Sequence, residues 1–303
     1  MPPRERLPPL NAAHGPLGDV GSALDTAAAE ELLTRGEITV EGRLTDASNA
    51  TLYCRVELDG VERACVWKPV AGERPLWDFP DGTLAGREVA TYALSEAIGW
   101  AVVPPTVLRE GPYGIGMCQL WIDFAAADPE AAPDTDSILA GGLVGLQESA
   151  EPEPGWRAIA QVAVDDGEGG QRPALLVHAD TEPMRRIAVF DAVVNNADRK
   201  GGHLLPGADG HVYGIDHGIC LHTDNKLRTL LWGWAGEDLP GEAVEALTRL
   251  RTELAGGLGT ALAAHLTSDE VAATGARIDT LLRTGKYPLP TPGRRPAVPW
   301  PLI

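Results

Sequence analysis

Asn195-Asn-Ala-Asp-Arg-Lys-Gly-Gly-His203, followed by Leu204 to Ile215 and then Asp216-His-Gly218, is the stretch that decides the reading of this chain. Its middle reads as a short hairpin. Leu204 and Leu205 lead into a turn over Pro206 to Gly210, and Val212 to Ile215 lead out. Such a ribbon brings Asp198, His203 and Asp216 to one end. Two carboxylates meeting there suit phosphoryl transfer: one orients an acceptor hydroxyl and takes its proton, and the other holds a divalent ion against the phosphates. That chemistry is carried elsewhere by an Asp, a metal ligand five positions on, and an Asp-x-Gly on the next strand. Here those positions are Asp198, His203 and Asp216-His217-Gly218. Singly, Asp-Arg is a common loop ion pair and Asp-x-Gly a common turn; the order and the hairpin between them give the pattern its weight.

Working upstream, the alternation of Leu52, Cys54, Val56 and Leu58 predicts a strand over Thr51–Leu58. Asp59-Gly60 is a two-residue hairpin turn, and Val61–Lys68 is the return strand. Ala64, Val66 and Lys68 then share one face, where Ala64 and Val66 would roof an adenine ring and Lys68 would meet phosphates. Glu88 lies twenty residues on, at the start of a helix expected over Arg87–Ile98 between Gly86 and Gly99, with an apolar stripe of Val89, Tyr92, Ala93 and Ala97. A lone strand lysine is usually solvated and a lone helix-start glutamate usually answers the helix dipole; their order ahead of the Asp pair raises both. An earlier helix is expected from Asp25 to Thr34, and two strands over Thr106–Arg109 and Gly116–Phe124. The turn Thr45–Ala50 lacks a Gly-rich phosphate loop, though Ser48 and Asn49 are polar enough to contact phosphates.

Beyond Phe124 the composition changes. Residues 125–154 read as an acidic insertion or linker with a short helix around Ser137–Leu146. Helices are expected after Thr181, with Pro183 in the first turn, and over Glu242–Leu254 and Ser268–Leu282. Residues 1–20 read as a disordered tail, 21–124 as a first lobe, and 125–303 as a second lobe with a Pro-rich tail. Trp232, Trp234 and Trp300 read as packing aromatics.

The 303 residues carry 25 Lys+Arg against 43 Asp+Glu, a formal charge of −18. So acidic a surface repels nucleic-acid phosphates and anionic lipids. No apolar run is long enough to span a membrane. The four scattered cysteines form no CxxC pair and suit reduced thiols in the cytoplasm. Expected partners are a nucleotide and an unidentified hydroxyl-bearing substrate, with no nucleic acid and no stable membrane association. Oligomeric state is not legible.

Six segments together resemble the phosphatidylinositol 3-/4-kinase superfamily, closest to type II phosphatidylinositol 4-kinases and their small bacterial relatives. They are Val66-Trp-Lys-Pro69, Arg87-Glu-Val-Ala-Thr-Tyr92, Cys118-Gln-Leu-Trp-Ile122, Asn195-Asn-Ala-Asp-Arg199, Ile215-Asp-His-Gly218 and Leu231-Trp-Gly-Trp234. The resemblance covers roughly Ser48 to Trp234. It implies an α+β, two-lobed protein-kinase-like fold, with a small antiparallel-sheet first lobe and a mostly helical second lobe. ATP and Mg²⁺ or Mn²⁺ would lie between them. By position, Lys68 would hold the α/β-phosphates, Glu88 would pair with it, and the backbone of Gln119, Leu120 and Trp121 would meet adenine. Asp198 would be the catalytic carboxylate and Asp216 a metal ligand.

His203 stands where the family has a metal-binding Asn, and imidazole suits softer ions than Mg²⁺. The cysteine cluster that type II enzymes acylate is absent, and few basic residues follow Asp216. A hydroxyl on a protein or small molecule is therefore the expected acceptor, ahead of a phosphoinositide. Two other readings stay open: a nucleotide-binding pseudokinase, and a metal-dependent hydrolase built on His203, Asp216, His217 and His222.

Overall fold

The computed structural model describes residues 9–10, 24–44, 49–123, 142–165, 170–207, 209–291 and 297–302. Strand β1 (Pro9–Leu10), helix α1 (Thr26–Arg35) and strands β2 (Glu37–Leu44), β3 (Leu52–Leu58) and β4 (Val61–Pro69) come first. Helix α2 (Leu84–Ile98) and strands β5 (Thr106–Gly111) and β6 (Gly114–Leu120) complete the first lobe. Its sheet runs β1-β2-β3-β4-β6-β5 and is antiparallel apart from the short β1–β2 pair.

The β3–β4 hairpin follows its sequence pattern. Asp59 and Gly60 take φ of 51° and 81°, the left-handed pair that a two-residue turn demands, and Leu58 lies opposite Val61. Alternation then buries Leu52, Cys54 and Val56 on β3 and Cys65 and Trp67 on β4. Leu32 and Leu33 of α1 cover that face. Asp25 caps α1, its side chain accepting from the Ala28 amide at 2.8 Å. Val66 and Lys68 project to the opposite face.

Strand β2 was not expected from sequence. Its burial alternates weakly along an edge-proximal strand, so its pattern is faint. Helix α2 also corrects two expectations. It starts at Leu84, capped by Thr83 and by the Glu73 carboxylate, which accepts from the Leu84 and Ala85 amides. Glu88 therefore stands in its second turn, not at its start. The buried face is Arg87, Ala90, Thr91, Leu94, Ser95 and Ile98, with Tyr92, whereas Val89, Ala93 and Ala97 are half-buried. A helix wedged between a sheet and a second lobe buries more than one stripe, which blurs the 3.6-residue signal.

The second lobe opens on strands β7 (Val144–Gln147), β8 (Trp156–Asp165) and β9 (Gln171–Ala179), which form a sheet in the order β7-β9-β8. Val144–Leu146 is thus strand where a helix end was expected; the rest of that expected helix, and most of the acidic insertion, lie outside the described residues. Next come helix α3 (Glu182–Val194), the ribbon β10 (Leu204–Pro206) and β11 (Val212–Gly214), and helices α4 (Gly241–Leu254), α5 (Gly257–Leu262) and α6 (Ser268–Thr284). The large core joins α2, α3, α4 and α6 through Leu94, Ile98, Ile187, Phe190, Val194, Leu247, Leu250 and Ile278. The architecture is the expected α+β, two-lobed, kinase-like one, with a three-stranded sheet that sequence reading did not foresee. Of the N-terminal tail only residues 9–10 are described. Trp234 is fully buried, but Trp300 is 78% exposed, against the expectation of a packed aromatic.

Candidate active site

Three elements converge between the lobes: the end of β4, the second turn of α2, and the loops that flank the β10–β11 ribbon. Lys68 Nζ donates to Glu88 Oε1 at 2.8 Å and to Asp216 Oδ1 at 2.9 Å. The other Glu88 oxygen accepts from the His217 backbone N–H at 2.9 Å. Strand lysine, helix glutamate and Asp-x-Gly loop are therefore closed into a ring. Burial disfavours the Lys68 ammonium, but the two carboxylates outweigh it and hold its pKa above the ordinary lysine value. The same contact with Lys68 holds the Asp216 carboxyl well below the usual carboxylate range.

The ribbon places Asp198, His203 and Asp216 as its pattern predicts. Leu204 lies opposite Gly214, and Ile215 N–H donates to the His203 carbonyl at 3.0 Å. His203 Nδ1 lies 3.1 Å from the Asp198 carbonyl oxygen, and Nε2 lies 3.4 Å from Asp216 Oδ2. Burial pushes the His203 pKa down to about 4, so the ring is neutral near pH 7. Asp198 is raised above the usual carboxylate value by burial, partly offset by Lys200, whose Nζ is 3.3 Å from its carboxylate. A carboxylate moved in that direction is a better proton acceptor.

Sequence reading missed what holds these loops. Arg199 is fully buried. It pairs with Asp191 of α3 at 2.9 Å, donates to the carbonyls of His203 and Ile215 at 3.2 and 3.0 Å, and reaches His217 Nε2 at 2.6 Å. One guanidinium thus ties α3, both strands at the open end of the ribbon and the Asp-x-Gly loop together. Asn196 accepts from the Asp198 amide and donates to Asp191. The signal was present, since Asn196 and Arg199 flank Asp198, but nothing in the sequence paired them with Asp191.

The segment expected to meet adenine is less open than its sequence suggests. The N–H groups of Leu120 and Trp121 donate to Pro105 and Ala64 carbonyls at 2.9 and 3.1 Å. The Gln119 side chain is buried and donates to Thr106. Those N–H groups and the Gln119 side chain are therefore committed within the chain. Val66 and Trp121 are half-buried, with Tyr53 edge-on to Trp121 at 5.1 Å. Ser48 lies outside the described residues. The Asn49 side chain accepts from the Arg74 amide at 3.0 Å, which commits one of its polar atoms to the chain.

His217 does not join a metal cluster, because it is buried against Arg199, and His222 turns away towards Asp224 and Phe79. Among the described residues no three His, Cys, Asp or Glu side chains gather as a metal site by themselves. A hydrolytic metal centre on His203, Asp216, His217 and His222 is not formed.

Comparison with curated proteins gives one decisive likeness. The chain is 47% identical over 270 residues to Protein Rv2133c of Mycobacterium tuberculosis, covering 89% of this chain and 94% of that one. The chain belongs to the family of Protein Rv2133c. That name carries no activity, and no family model matches the chain. Among solved structures, the Golgi casein kinase aligns with a TM-score of 0.46 at 13% identity, covering 92% of this chain and 78% of that one. The Helicobacter pylori proinflammatory kinase CtkA aligns at 0.42 and 10%, covering 84% and 94%. These are loose likenesses, and no residue role is transferred from them.

Proposed function

We propose that this member of the Rv2133c family is an ATP-dependent phosphotransferase acting on a hydroxyl. The closed ring of Lys68, Glu88, the His217 amide and Asp216 carries the reading. Stability alone gives no reason to gather an ammonium and two carboxylates in a cleft, because desolvating such groups roughly cancels their attraction. As a phosphate-handling device the ring has a use: Lys68 meets the α/β-phosphates, Glu88 fixes its reach, and Asp216 turns Oδ2 towards a cation. Side-chain exposure of 51% at Asp216 leaves room for one. A divalent ion held there would neutralise charge on the phosphates. Asp198 orients the acceptor hydroxyl and takes its proton, and Lys200 is near enough to Asp198 to meet the transferred group. Val66 packs against the adenine, with carbonyls of Leu120 and Trp121 at its edge.

The motif set's likeness to phosphatidylinositol 3-/4-kinases is part of this reading, but a phosphoinositide acceptor is not. Lys226 is spent on Asp78, and Arg228 donates to the Val298 carbonyl, so the segment after Asp216 presents little free positive charge to a membrane. Among the described residues no helix is long and apolar enough to cross one. Four free thiols fit a reducing compartment such as the cytoplasm.

The test is transfer from γ-labelled ATP, with Mg²⁺ and then Mn²⁺, by the protein alone and with cell extract. Asp198→Ala is expected to lower transfer by about 10²–10⁴-fold, the usual worth of a positioned proton acceptor. Asp216→Ala is expected to abolish it. Turnover surviving both changes would sink the proposal. His203 in place of Asn favours a second reading, a pseudokinase, which predicts that ATP raises Tm while no acceptor is labelled.

A further inference from the structure

The imidazole of His203 stands where oxygen ligands are usual, and its surroundings fix which nitrogen is available. Nδ1 lies 3.1 Å from the Asp198 carbonyl oxygen, which can only accept, so Nδ1 carries the proton. Nε2 then presents a lone pair to Asp216 Oδ2 at 3.4 Å. Two acceptors facing each other repel unless something positive lies between them, and the 51% exposure of the Asp216 side chain lets an ion reach that gap. An Nδ1–H bound to a carbonyl with Nε2 left bare is also how metal-ligating histidines are commonly oriented.

The ligand types are informative. Octahedral Mg²⁺ binds at about 2.0–2.1 Å, which sets neighbouring ligand atoms about 2.9–3.0 Å apart, and it tolerates little departure. His203 brings a nitrogen to this pair, with Nε2 3.4 Å from Asp216 Oδ2. Imidazole suits transition metals, whereas carboxylate oxygens serve Mg²⁺ and Mn²⁺ alike. The protein brings two ligands, too few for a standing site, so the phosphates of a bound nucleotide must supply others.

We infer that His203 Nε2 and Asp216 Oδ2 bind a divalent transition metal together with the nucleotide phosphates, and that this pair selects Mn²⁺ over Mg²⁺. The inference rests on the nucleotide-binding reading above and goes beyond it by naming the ligand atoms and the ion.

The experiment is pulsed EPR of the full chain with Mn²⁺ and ADP, alongside Mn²⁺ and Mg²⁺ affinities measured in the presence of ADP. The expected result is ¹⁴N modulation from a directly bound imidazole, absent in His203→Asn. That variant should also lose at least about tenfold of the Mn²⁺-over-Mg²⁺ preference. Unchanged Tm and circular dichroism in His203→Asn, or in His203→Gln if the first folds poorly, keep the comparison valid. The wild-type spectrum is decisive without either variant. Mn²⁺·ADP bound in an Asp216-dependent way but without ¹⁴N modulation overturns the inference and leaves the kinase reading standing. No Mn²⁺·ADP binding at all overturns both.

Discussion

Asp216 takes φ of 60°, a left-handed conformation that costs a non-glycine residue about 1–2 kcal/mol. The chain tolerates it because Lys68 holds the carboxylate and Glu88 holds the next amide. Glycine would relieve the strain and lose the carboxylate. Arg199 is the other residue on which the cleft depends. It and Asp191 are both fully buried, so removing one partner strands a charge. Arg199→Leu is expected to cost about 3–5 kcal/mol of stability, read as a lower urea midpoint. Arg199→Lys should recover only part of this, because an ammonium cannot span Asp191, two carbonyls and His217 at once. The sequence shows Arg199 as a neighbour of Asp198 and no more. Its partners lie eight residues back and sixteen and eighteen residues on, a set that only folding assembles.

At the scale of elements, α2 is held from both sides. Its Lys68-binding Glu88 faces the cleft, while the adjacent Arg87 pairs with Glu270 of α6 and donates to the carbonyls of Cys220 and Asp81. Arg87 also lies over the Phe79 ring, 5.0 Å from its centroid. Glu270 is shared: its other oxygen closes the capping box of α6 with Thr267. Thr267→Ala is expected to cost about 1 kcal/mol as a lost cap. Glu270→Ala should cost more, about 3–5 kcal/mol, because it also leaves Arg87 buried without its counter-ion. Equal losses in paired denaturation curves would show that the Arg87 contact contributes nothing. Where local pattern governs, elements were legible: the β3–β4 hairpin, α1, the β10–β11 ribbon, and α3, α4 and α6 fall within a few residues of expectation. The β7–β9–β8 sheet was not, because part of it lies in sequence that is acidic and weakly patterned. Neither was the seat of Glu88, since a glycine in the first turn of α2 looks like a boundary from sequence.

At the scale of the whole molecule, His178 links the three-stranded sheet to the Leu231-Trp-Gly-Trp234 segment. Its Nε2 accepts from the Gly233 amide at 3.1 Å, Nδ1 lies 3.0 Å from the Ala179 carbonyl, and the ring packs against Trp234 at a tilt of 47°. A Cβ on Gly233 would come within 2.4 Å of Nε2, so glycine is required by that approach. Burial pushes the His178 pKa down to about 4, while an unfolded chain titrates near 6.5. The folded state keeps this ring neutral, so below about pH 6.5 the unfolded chain binds the proton first. The stability is intact above pH 6.5 and is lost as pH falls towards 4, on the order of 3 kcal/mol across that window. Denaturation curves at pH 7 and pH 5 should separate widely in the wild type and less in His178→Gln.

From sequence alone come a strand lysine, a helix glutamate and two aspartates flanking a hairpin, in that order. Spacing within a hairpin or a helix turn is a local property, and local sterics enforce it. Folding is what closes Lys68, Glu88 and Asp216 into a ring, brings Arg199 to Asp191 and pins α2 through Glu270. Those contacts join positions up to 183 residues apart. They depend on how two lobes pack around one helix, and no periodicity in the chain records that.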